Sequence, residues 1–281
     1  MIGREVFIYI DKAEEFSRFS KLNDQVIAIA NEYTSLNKVN VKISKKNQGV
    51  ARAVPSAISW ALEMKNEIII LEDDCIPKIS ALKFFDENIH VISHEVVMIS
   101  GYGFENKLIG TGTNLQYSFT MFPMIWGWAT TKTSWNLIAK ILDNPPIFRK
   151  MCLALIKYPN RLVSICFFYA AYIRVRRGLM QAWDAPIALE MLISNHKCAL
   201  SKFNLIENIG DDDVSSHIMR LKEKIFIEDG ENIEKFIKSK VYKMRIRHIL
   251  YPFKAFLNFF FSVSQSSSCF ILDQILSAIF S

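Results

Sequence analysis

The chain has 281 residues, of which 51% are hydrophobic and 12% aromatic, so a disordered chain is excluded and one large or two modest domains are expected. Its five scattered cysteines form no CxxC pair, which indicates neither a disulfide framework nor a zinc site and favours a reducing cytoplasm. The formal net charge of +6 resides in residues 235–281, which hold seven Lys or Arg and one acid, so the rest of the chain is neutral.

Strands and helices alternate through the first hundred residues. Hydrophobic spacing predicts strands over 6–10, 39–44, 67–71 and 96–100, and helices over 13–22, 24–36, 50–64 and 80–92. Pro55 predicts a kink or a late start in the third of these helices. The alternation predicts an α/β fold with a largely parallel sheet.

The second half is aromatic and turn-rich over 119–131 and then mainly helical. Helices are predicted over 131–142, 147–157, 162–175 and 183–194. The apolar run 162–173 is bounded by Arg161 and Arg174 and is too short to span a bilayer. It predicts a core helix or an interfacial helix.

An apolar run ends abruptly in acids at residue 72. Ile68-Ile69-Ile70-Leu71 leads directly into Glu72-Asp73-Asp74, as expected of a buried strand that carries carboxylates at its C-terminal end. Ligands of open α/β sheets bind at that end, and adjacent carboxylates favour Mg²⁺ or Mn²⁺. The alternative is a solvated acidic turn after a core strand.

Three weaker motifs each have a functional and a structural interpretation. The segment 45–49, which includes Asn47 and Gly49, precedes a helix and fits either a nucleotide phosphate or an ordinary turn. Asp184, after Trp183, is either a general base beside an aromatic wall or a plain N-cap. The loop 208–217 is either solvated or closes over a metal with His217 as a ligand.

The C-terminal tail combines basic residues with two Phe-rich clusters, at 255–263 and 270–280. Neither cluster reaches the roughly 20 apolar residues of a spanning helix. The pattern favours an interfacial anchor on an anionic, cytoplasm-facing membrane leaflet. The alternatives are a helix pair docked on the protein's own core and, less favoured, a nucleic-acid contact.

The order of these motifs resembles that of nucleotide-sugar glycosyltransferases with the GT-A fold. It is similar in particular to bacterial family 2-like enzymes and to the catalytic domain of N-acetylglucosaminyltransferase I. The resemblance rests on four short motifs in order: Leu71 to Asp74, Phe122-Pro123 through Gly127-Trp128, Trp183-Asp184, and Gly210 through Ser216-His217. It implies a GT-A domain over 1–220, with a Rossmann-like, mostly parallel sheet flanked by helices, and a basic, amphipathic helical extension over 221–281.

The resemblance also implies residue roles, motif by motif. Asp74 would coordinate Mn²⁺ or Mg²⁺ at the donor diphosphate, with His217 near the metal on the closing loop. Asp184 would deprotonate the acceptor hydroxyl. The remaining matches are donor-binding residues and an aromatic wall for sugar or acceptor: Asp11, Asn47, Gly49, Glu72 and Asp73 for the donor, and Trp128 and Trp183 for the wall.

The implied activity is metal-dependent, inverting sugar transfer in surface polysaccharide or lipopolysaccharide synthesis. The expected partners are a nucleotide-diphosphate sugar, a glycan or lipid-linked acceptor and an anionic membrane surface, with no nucleic acid. The expected location is cytoplasmic, peripheral on the inner face of the cell membrane. One departure is that the strand 6–10 matches the second strand of such enzymes, so their first strand is not found in this sequence. Either the true start lies upstream of Met1, or the nucleotide pocket is incomplete.

Two other functions remain open at this point. A non-catalytic GT-A module that binds a nucleotide or a partner would account for the missing strand. A metal-dependent phosphohydrolase would use the acids at 72–74 and 211–213, although neither cluster has a second histidine nearby.

Overall fold

A computed structural model of the chain describes residues 4–34, 38–103, 117–144 and 148–210. This part of the chain is a mixed α/β structure. Its strands are β1 (Val6–Ile10), β2 (Val39–Ile43), β3 (Glu67–Ile70), β4 (Cys75–Pro77), β5 (Val96–Ser100), β6 (Tyr117–Thr120), β7 (Trp128–Thr131), β8 (Lys197–Ser201) and β9 (Ile206–Asn208). Its helices are α1 (Ser20–Tyr33), α2 (Val50–Met64), α3 (Ile79–Asn88), α4 (Lys132–Ile138), α5 (Lys140–Asp143), α6 (Phe148–Lys157), α7 (Leu162–Arg176) and α8 (Asp184–Ser194).

The main sheet is mixed, which corrects the prediction of a mostly parallel sheet. Its five strands lie in the order β3-β7-β5-β8-β6. Only β5 and β8 pair in parallel, whereas β7 pairs antiparallel with both β3 and β5, and β6 pairs antiparallel with β8. The short strands β6 and β7 come from the turn-rich stretch, where the residue pattern did not predict strands.

The strands β3, β5 and β8 nevertheless run in the same direction, because β7 is antiparallel to both of its neighbours. Their C-terminal ends therefore share one edge of the sheet, where β7 begins. Ile70 and Ser100 both pair with Trp128 at this edge. The acids that follow β3 are thus delivered to the edge at which ligands bind in α/β sheets.

The first two strands form a separate parallel pair, β1 with β2. Among the described strands, β1 pairs only with β2, and β3 pairs only with β7, so each has one edge without a strand partner. The N-terminal ends of β1 and β3 are joined by an ion pair between Glu5 and Lys65. Phe7 and Tyr9 of β1 pack against Trp60 of α2, which connects β2 to β3.

The prediction of a helix over 13–22 is wrong. Residues 11–14 are irregular, residues 15–19 form turns, and α1 begins only at Ser20. Phe16 adopts a left-handed backbone conformation with φ of 63°, which a helix does not accommodate. The Asn23 side chain accepts from the Ala13 N–H and donates to the Asp11 carbonyl, and so it holds the turn on the start of α1. The late start allowed for α2 does not occur either, since that helix runs from Val50 through Pro55.

The core is centred on α8, which is buried from Ala185 to Ile193. Its neighbours include α7 and α6, and three buried tryptophans (Trp128, Trp135 and Trp183) fill the space between the helices and the sheet. The indole N–H of Trp135 donates to Ser59 Oγ at 2.9 Å, which ties α4 to α2. Across the described ranges, we find no helix whose length and apolarity would let it cross a membrane.

Candidate functional site

The acids after β3 occupy a turn at the carboxyl edge of the sheet. The Cys75 N–H donates to the Glu72 carbonyl at 3.0 Å, which closes the turn. The chain then enters β4, and β4 pairs with β9 near the end of the described chain. Pairing of these two short strands places residues 208–210 directly beside Asp74.

Asp74 is held by this neighbouring strand end. The Asn208 side-chain amide donates to Asp74 Oδ2 at 3.0 Å, and the Ile209 N–H donates to the Asp74 carbonyl at 2.8 Å. Gly210 approaches so closely that a Cβ there would lie 2.5 Å from Asp74 Oδ2. The position after Asn208 and Ile209 thus requires a residue without a side chain.

Glu72 is a strongly perturbed acid of this turn. Its Oε1 is buried and has no hydrogen-bond partner among the described residues. Burial, and then the charges of Asp74, Asp184 and Asp73, raise the pKa of Glu72 to about 7, while the Trp183 indole N–H opposes this rise. The first acid of the trio is therefore no part of a solvated turn, although Asp73 itself is exposed.

Asp184 is the first residue of α8 and belongs to the same group of charges. Burial raises the pKa of its carboxyl group, and the backbone N–H groups of Asp184 and Ala185 partly offset that rise. Its charge contributes to the raised pKa of Glu72, so the two carboxyl groups are neighbours. We call the four residues Glu72, Asp73, Asp74 and Asp184 the acid cluster.

Two buried tryptophans lie in the core next to the acid cluster. The rings of Trp128 and Trp183 are stacked, with centroids 5.9 Å apart and planes at 17°. Trp128 is 0% exposed and Trp183 is 2% exposed. They form a floor within the core, which we call the tryptophan floor.

The turn before α2 is built around the carboxylate of Asp11. Its oxygens accept hydrogen bonds from Ser44 Oγ at 2.8 Å, from the Gln48 N–H at 3.0 and 3.1 Å, and from the Gly49 N–H at 2.9 Å. Asn47 also faces this region, and its side-chain amide donates to the Lys12 carbonyl at 2.9 Å. Asp11 therefore fixes the shape of the turn by accepting hydrogen bonds from the two N–H groups that immediately precede α2.

Gly49 joins this turn to the segment before Asp184. Gly49 has a φ of 69°, and a Cβ there would lie 2.8 Å from Gln181 Oε1. Gln181 is two residues before Trp183 and three before Asp184. The turn held by Asp11 and the acid cluster are therefore parts of one continuous surface.

A cleft of about 370 Å³ opens beside Asp11 and Asn47. Residues from the turn before α1 and from α1 itself line its other side, among them Ser17, Phe19 and Asn23. Phe19 is 45% exposed, and Ser17 Oγ is buried without a hydrogen-bond partner among the described residues. The cleft thus offers an aromatic face together with polar groups.

A second cavity, of about 330 Å³, lies at the opposite edge of the sheet. It is lined by His94 and Glu95 before β5, by Lys150 and Lys157 of α6, and by His196 before β8. None of the predicted site residues lines this cavity.

Most of the predicted site residues converge. Nine of them belong to the acid cluster, its tryptophan floor or the adjoining turn: Asp11, Asn47, Gly49, Glu72, Asp73, Asp74, Trp128, Trp183 and Asp184. His217 and the acids 211–213 lie outside the described residues. Sequence reasoning did not predict Ser44, Gln181 or Asn208 as site residues. The position of Ser44 and Asn208 at strand ends could have indicated these two, whereas no signal marked Gln181.

The described residues do not form an all-protein metal cage. Within these ranges, no three His, Cys, Asp or Glu side chains are grouped so that they could hold a metal ion. A cation at the acid cluster would have to take its remaining ligands from atoms outside the described residues.

Comparisons with known proteins add no relationship. No protein-family model matches the chain, and no curated protein matches its sequence significantly.

Proposed function

We propose that the chain is a metal-dependent glycosyltransferase of the GT-A type, which moves a sugar from a nucleotide-diphosphate donor to a hydroxyl acceptor with inversion. The observation that carries the proposal is the convergence of the strand-end acids with Asp184, 110 positions further along the chain than Asp74. Acids from two distant segments that raise the pKa of a buried neighbour are typical of a functional site.

The cleft beside Asp11 supports a place for the nucleoside. Phe19 offers a face on which a base can stack, and Asn23 and Asn47 offer hydrogen-bonding groups around it. The close approach of Gln181 to Gly49 places the segment before Asp184 beside the turn that borders this cleft. A nucleoside in the cleft would direct its diphosphate towards Asp73 and Asp74.

The donor set fits a divalent cation that is shared with a substrate. Mg²⁺ and Mn²⁺ favour oxygen ligands, and Mg²⁺ is commonly held by one or two carboxylates together with substrate phosphates. Asp74 would hold the cation, with Asp73 and Glu72 turned to the ribose or the donor sugar. When bound, the cation supplies positive charge that stabilises the departing nucleotide diphosphate.

Asp184 is the proposed general base. Its carboxylate takes the proton of the acceptor hydroxyl, whose oxygen forms a bond to the anomeric carbon of the donor sugar. The bond from that carbon to the diphosphate oxygen breaks, and its electron pair leaves with the nucleotide diphosphate. Partial burial raises the pKa of Asp184, and so its carboxylate is a stronger base than one in water.

The proposed setting is the inner face of the cell membrane, in surface polysaccharide or lipopolysaccharide assembly. The basic, Phe-rich tail supports a peripheral contact with anionic lipid. The acceptor would then be a glycan or a lipid-linked sugar presented at that surface.

One rival is a non-catalytic module of the same fold, and two observations favour it. The carboxylate of Asp11 is already occupied by hydrogen bonds from its own turn, and both tryptophans of the expected wall are buried. Such a module would bind a nucleotide or a partner without transferring a sugar.

The direct test of the proposed function is metal-dependent donor binding. Isothermal titration of the full chain with a panel of UDP- and GDP-sugars should show affinity for at least one donor that rises at least tenfold with Mn²⁺. Asp74→Asn should remove this gain because it deletes a charged ligand of the cation. Asp143→Asn, a change at an exposed acid on α5, is the matched control and should retain the gain.

Absence of metal-dependent donor binding by the wild type would contradict the proposal. Metal-dependent binding without any transfer to acceptors, including water, would favour the non-catalytic module.

A further inference from the structure

From Leu162 to Ile173 the helix α7 is apolar on every side, yet few of its residues are buried. Its 15 residues show almost no preference of apolar side chains for one face, and only Ser164, Ile165 and Tyr172 are buried. The sequence left open whether this segment is a core helix or an interfacial helix. Its two faces have different surroundings.

The inner face of α7 packs on the core, and the opposite face does not. Ile165 and Tyr172 lie on the side that contacts the core cluster around α8. At 100° per residue, Val163, Phe167 and Ala170 lie on the opposite side, and all three are only half-buried. We call these three residues the outer stripe of α7.

The outer stripe continues into exposed basic residues. Arg174 and Arg177 lie on the same side of the helix, one and two turns beyond Ala170, and both are exposed. Leu179 follows and is 67% exposed. An apolar stripe therefore ends in guanidinium groups and a solvent-exposed leucine.

The charge of this region has a single sign. Residues 144–183 contain seven Lys or Arg and no Asp or Glu. Two of the seven are used inside the protein: Lys150 pairs with Glu190, and Arg161 donates to the Leu192 carbonyl and to Asn195 Oδ1. The other five are exposed and form no ion pair with any described acid: Arg149, Lys157, Arg174, Arg176 and Arg177.

We propose that the outer stripe of α7, with Arg174, Arg177 and Leu179 beside it, binds the surface of an anionic lipid bilayer with the helix lying in the membrane plane. The basic region complements the negative lipid headgroups, and the apolar stripe reaches the acyl boundary. A helix of 15 residues is about 22 Å long, shorter than the roughly 30 Å hydrocarbon core, so it lies on the bilayer.

The apolar stripe distinguishes a bilayer from a soluble polyanion. An acidic protein segment or a nucleic acid would engage the arginines but would give Val163, Phe167 and Ala170 no matching acyl phase. The contact is also separate from the C-terminal tail, since it uses only described residues of the folded domain, and it does not depend on the reaction proposed above.

The location of this surface gives it a relation to the acid cluster. Seven positions separate Arg177 from Asp184, and Gln181 in this link contacts Gly49. A bilayer on the outer stripe would therefore contact the helix that packs on α8, the helix that begins with Asp184.

Flotation of the full chain with phosphatidylglycerol–phosphatidylcholine vesicles tests the proposal. The variant Arg174→Glu/Arg177→Glu should lower the partition coefficient by roughly 25-fold or more, because each basic residue near an anionic surface contributes about fivefold. Lys21→Glu/Lys132→Glu, which makes the same charge change at exposed positions on α1 and α4, should stay within threefold of the wild type. Arg174→Lys/Arg177→Lys should retain binding.

Equal losses in the two charge-reversed variants, or no loss in either, would overturn the proposal. Thermal melting of each variant verifies that the domain is folded.

A depth measurement tests the apolar part separately. Phe167→Trp adds an indole to the outer stripe, whereas Trp128, Trp135 and Trp183 are buried in the core and the half-buried Trp60 and Trp126 are present in both proteins. Vesicles with brominated acyl chains should quench the fluorescence of this variant by a larger fraction than that of the wild type. Equal quenching in the two proteins would place the stripe outside the bilayer and overturn the proposal.

Discussion

At the scale of single residues, Glu72 lies in an environment that differs strongly from water. Its buried Oε1 has no described partner, and three other carboxyl groups act on it. Its pKa rises from 4.5 to about 7, so the folded protein keeps a proton that the unfolded chain releases between these two values. Stability is therefore expected to fall as the pH rises through this window, by at most about 3 kcal/mol.

Substitution of Glu72 should remove this pH dependence. In metal-free buffer, denaturant unfolding of the wild type should show a falling free energy of unfolding from pH 5 to pH 8, and Glu72→Gln should flatten the curve and be the more stable protein at pH 8. Glu207→Gln, at an exposed acid on β9, is the control and should follow the wild type. Parallel curves for wild type and Glu72→Gln would show that Glu72 does not titrate in this range.

If Asp184 acts only on the acceptor, its substitution should reduce transfer without weakening donor binding. Asp184→Asn keeps the size and the hydrogen-bond acceptor at the start of α8 but removes the base. Transfer should fall by about 10² to 10⁴, the usual contribution of general base catalysis, while the dissociation constant for the donor changes less than threefold. Loss of donor affinity together with activity would instead give Asp184 a structural role.

At the scale of elements, α6 is held to α8 by one partly buried ion pair. Lys150 bonds to Glu190, whose side chain is 8% exposed and which also accepts from Ser194 Oγ. The pair adds to the core packing of Met151 and Ala154 on the same helix, and a buried carboxylate without its partner is costly.

Removal of the lysine should therefore destabilise the domain. Lys150→Met should lower the free energy of unfolding by about 2 kcal/mol, because Glu190 is left buried without its cation. The double variant Lys150→Met/Glu190→Gln should recover most of the loss, and Lys157→Met, at the exposed end of the same helix, should cost less than about 0.5 kcal/mol. Chemical denaturation measures all three, and equal effects of the two lysine changes would contradict the assignment.

The elements that the sequence predicted well are those with strong hydrophobic periodicity. The first three strands and the helices α2, α6, α7 and α8 appear within two residues of their expected bounds. The strands β4, β6, β7 and β9 have three or four residues each and lack a clear alternation, so only their partners in the fold define them.

At the scale of the whole molecule, the short strands decide whether the main sheet is parallel or mixed. The insertion of β7 between β3 and β5 turns an expected parallel sheet into a mixed one, while β3 and β5 keep their common direction. The acids at 72–74 thus reached the expected edge although the expected sheet was wrong. Strand-end motifs depend on the direction of their own strand and not on that of its neighbours.

The partners of the site residues could not be predicted, because they come from segments distant in sequence. Gln181 lies in no motif and Asn208 only begins the loop 208–217, so their roles follow only from the contacts with Gly49 and Asp74. The burial of Trp128 and Trp183 was equally hidden, since an aromatic residue beside a turn fits a core and a binding wall alike.

The pairing of β4 with β9 is expected to form late when the chain folds. Asp74 and Asn208 are 134 positions apart, so their hydrogen bond closes one of the longest loops in the described chain. Loop closure of this length is slow compared with the formation of helices and local strand pairs. A nascent chain that has emerged as far as α8 already contains Glu72, Asp74 and Asp184, but it lacks the strand that fastens Asp74 in place. We therefore expect the acid cluster to assemble late in folding, and ribosome-bound chains that stop before residue 206 should be folded in part and unable to bind a donor.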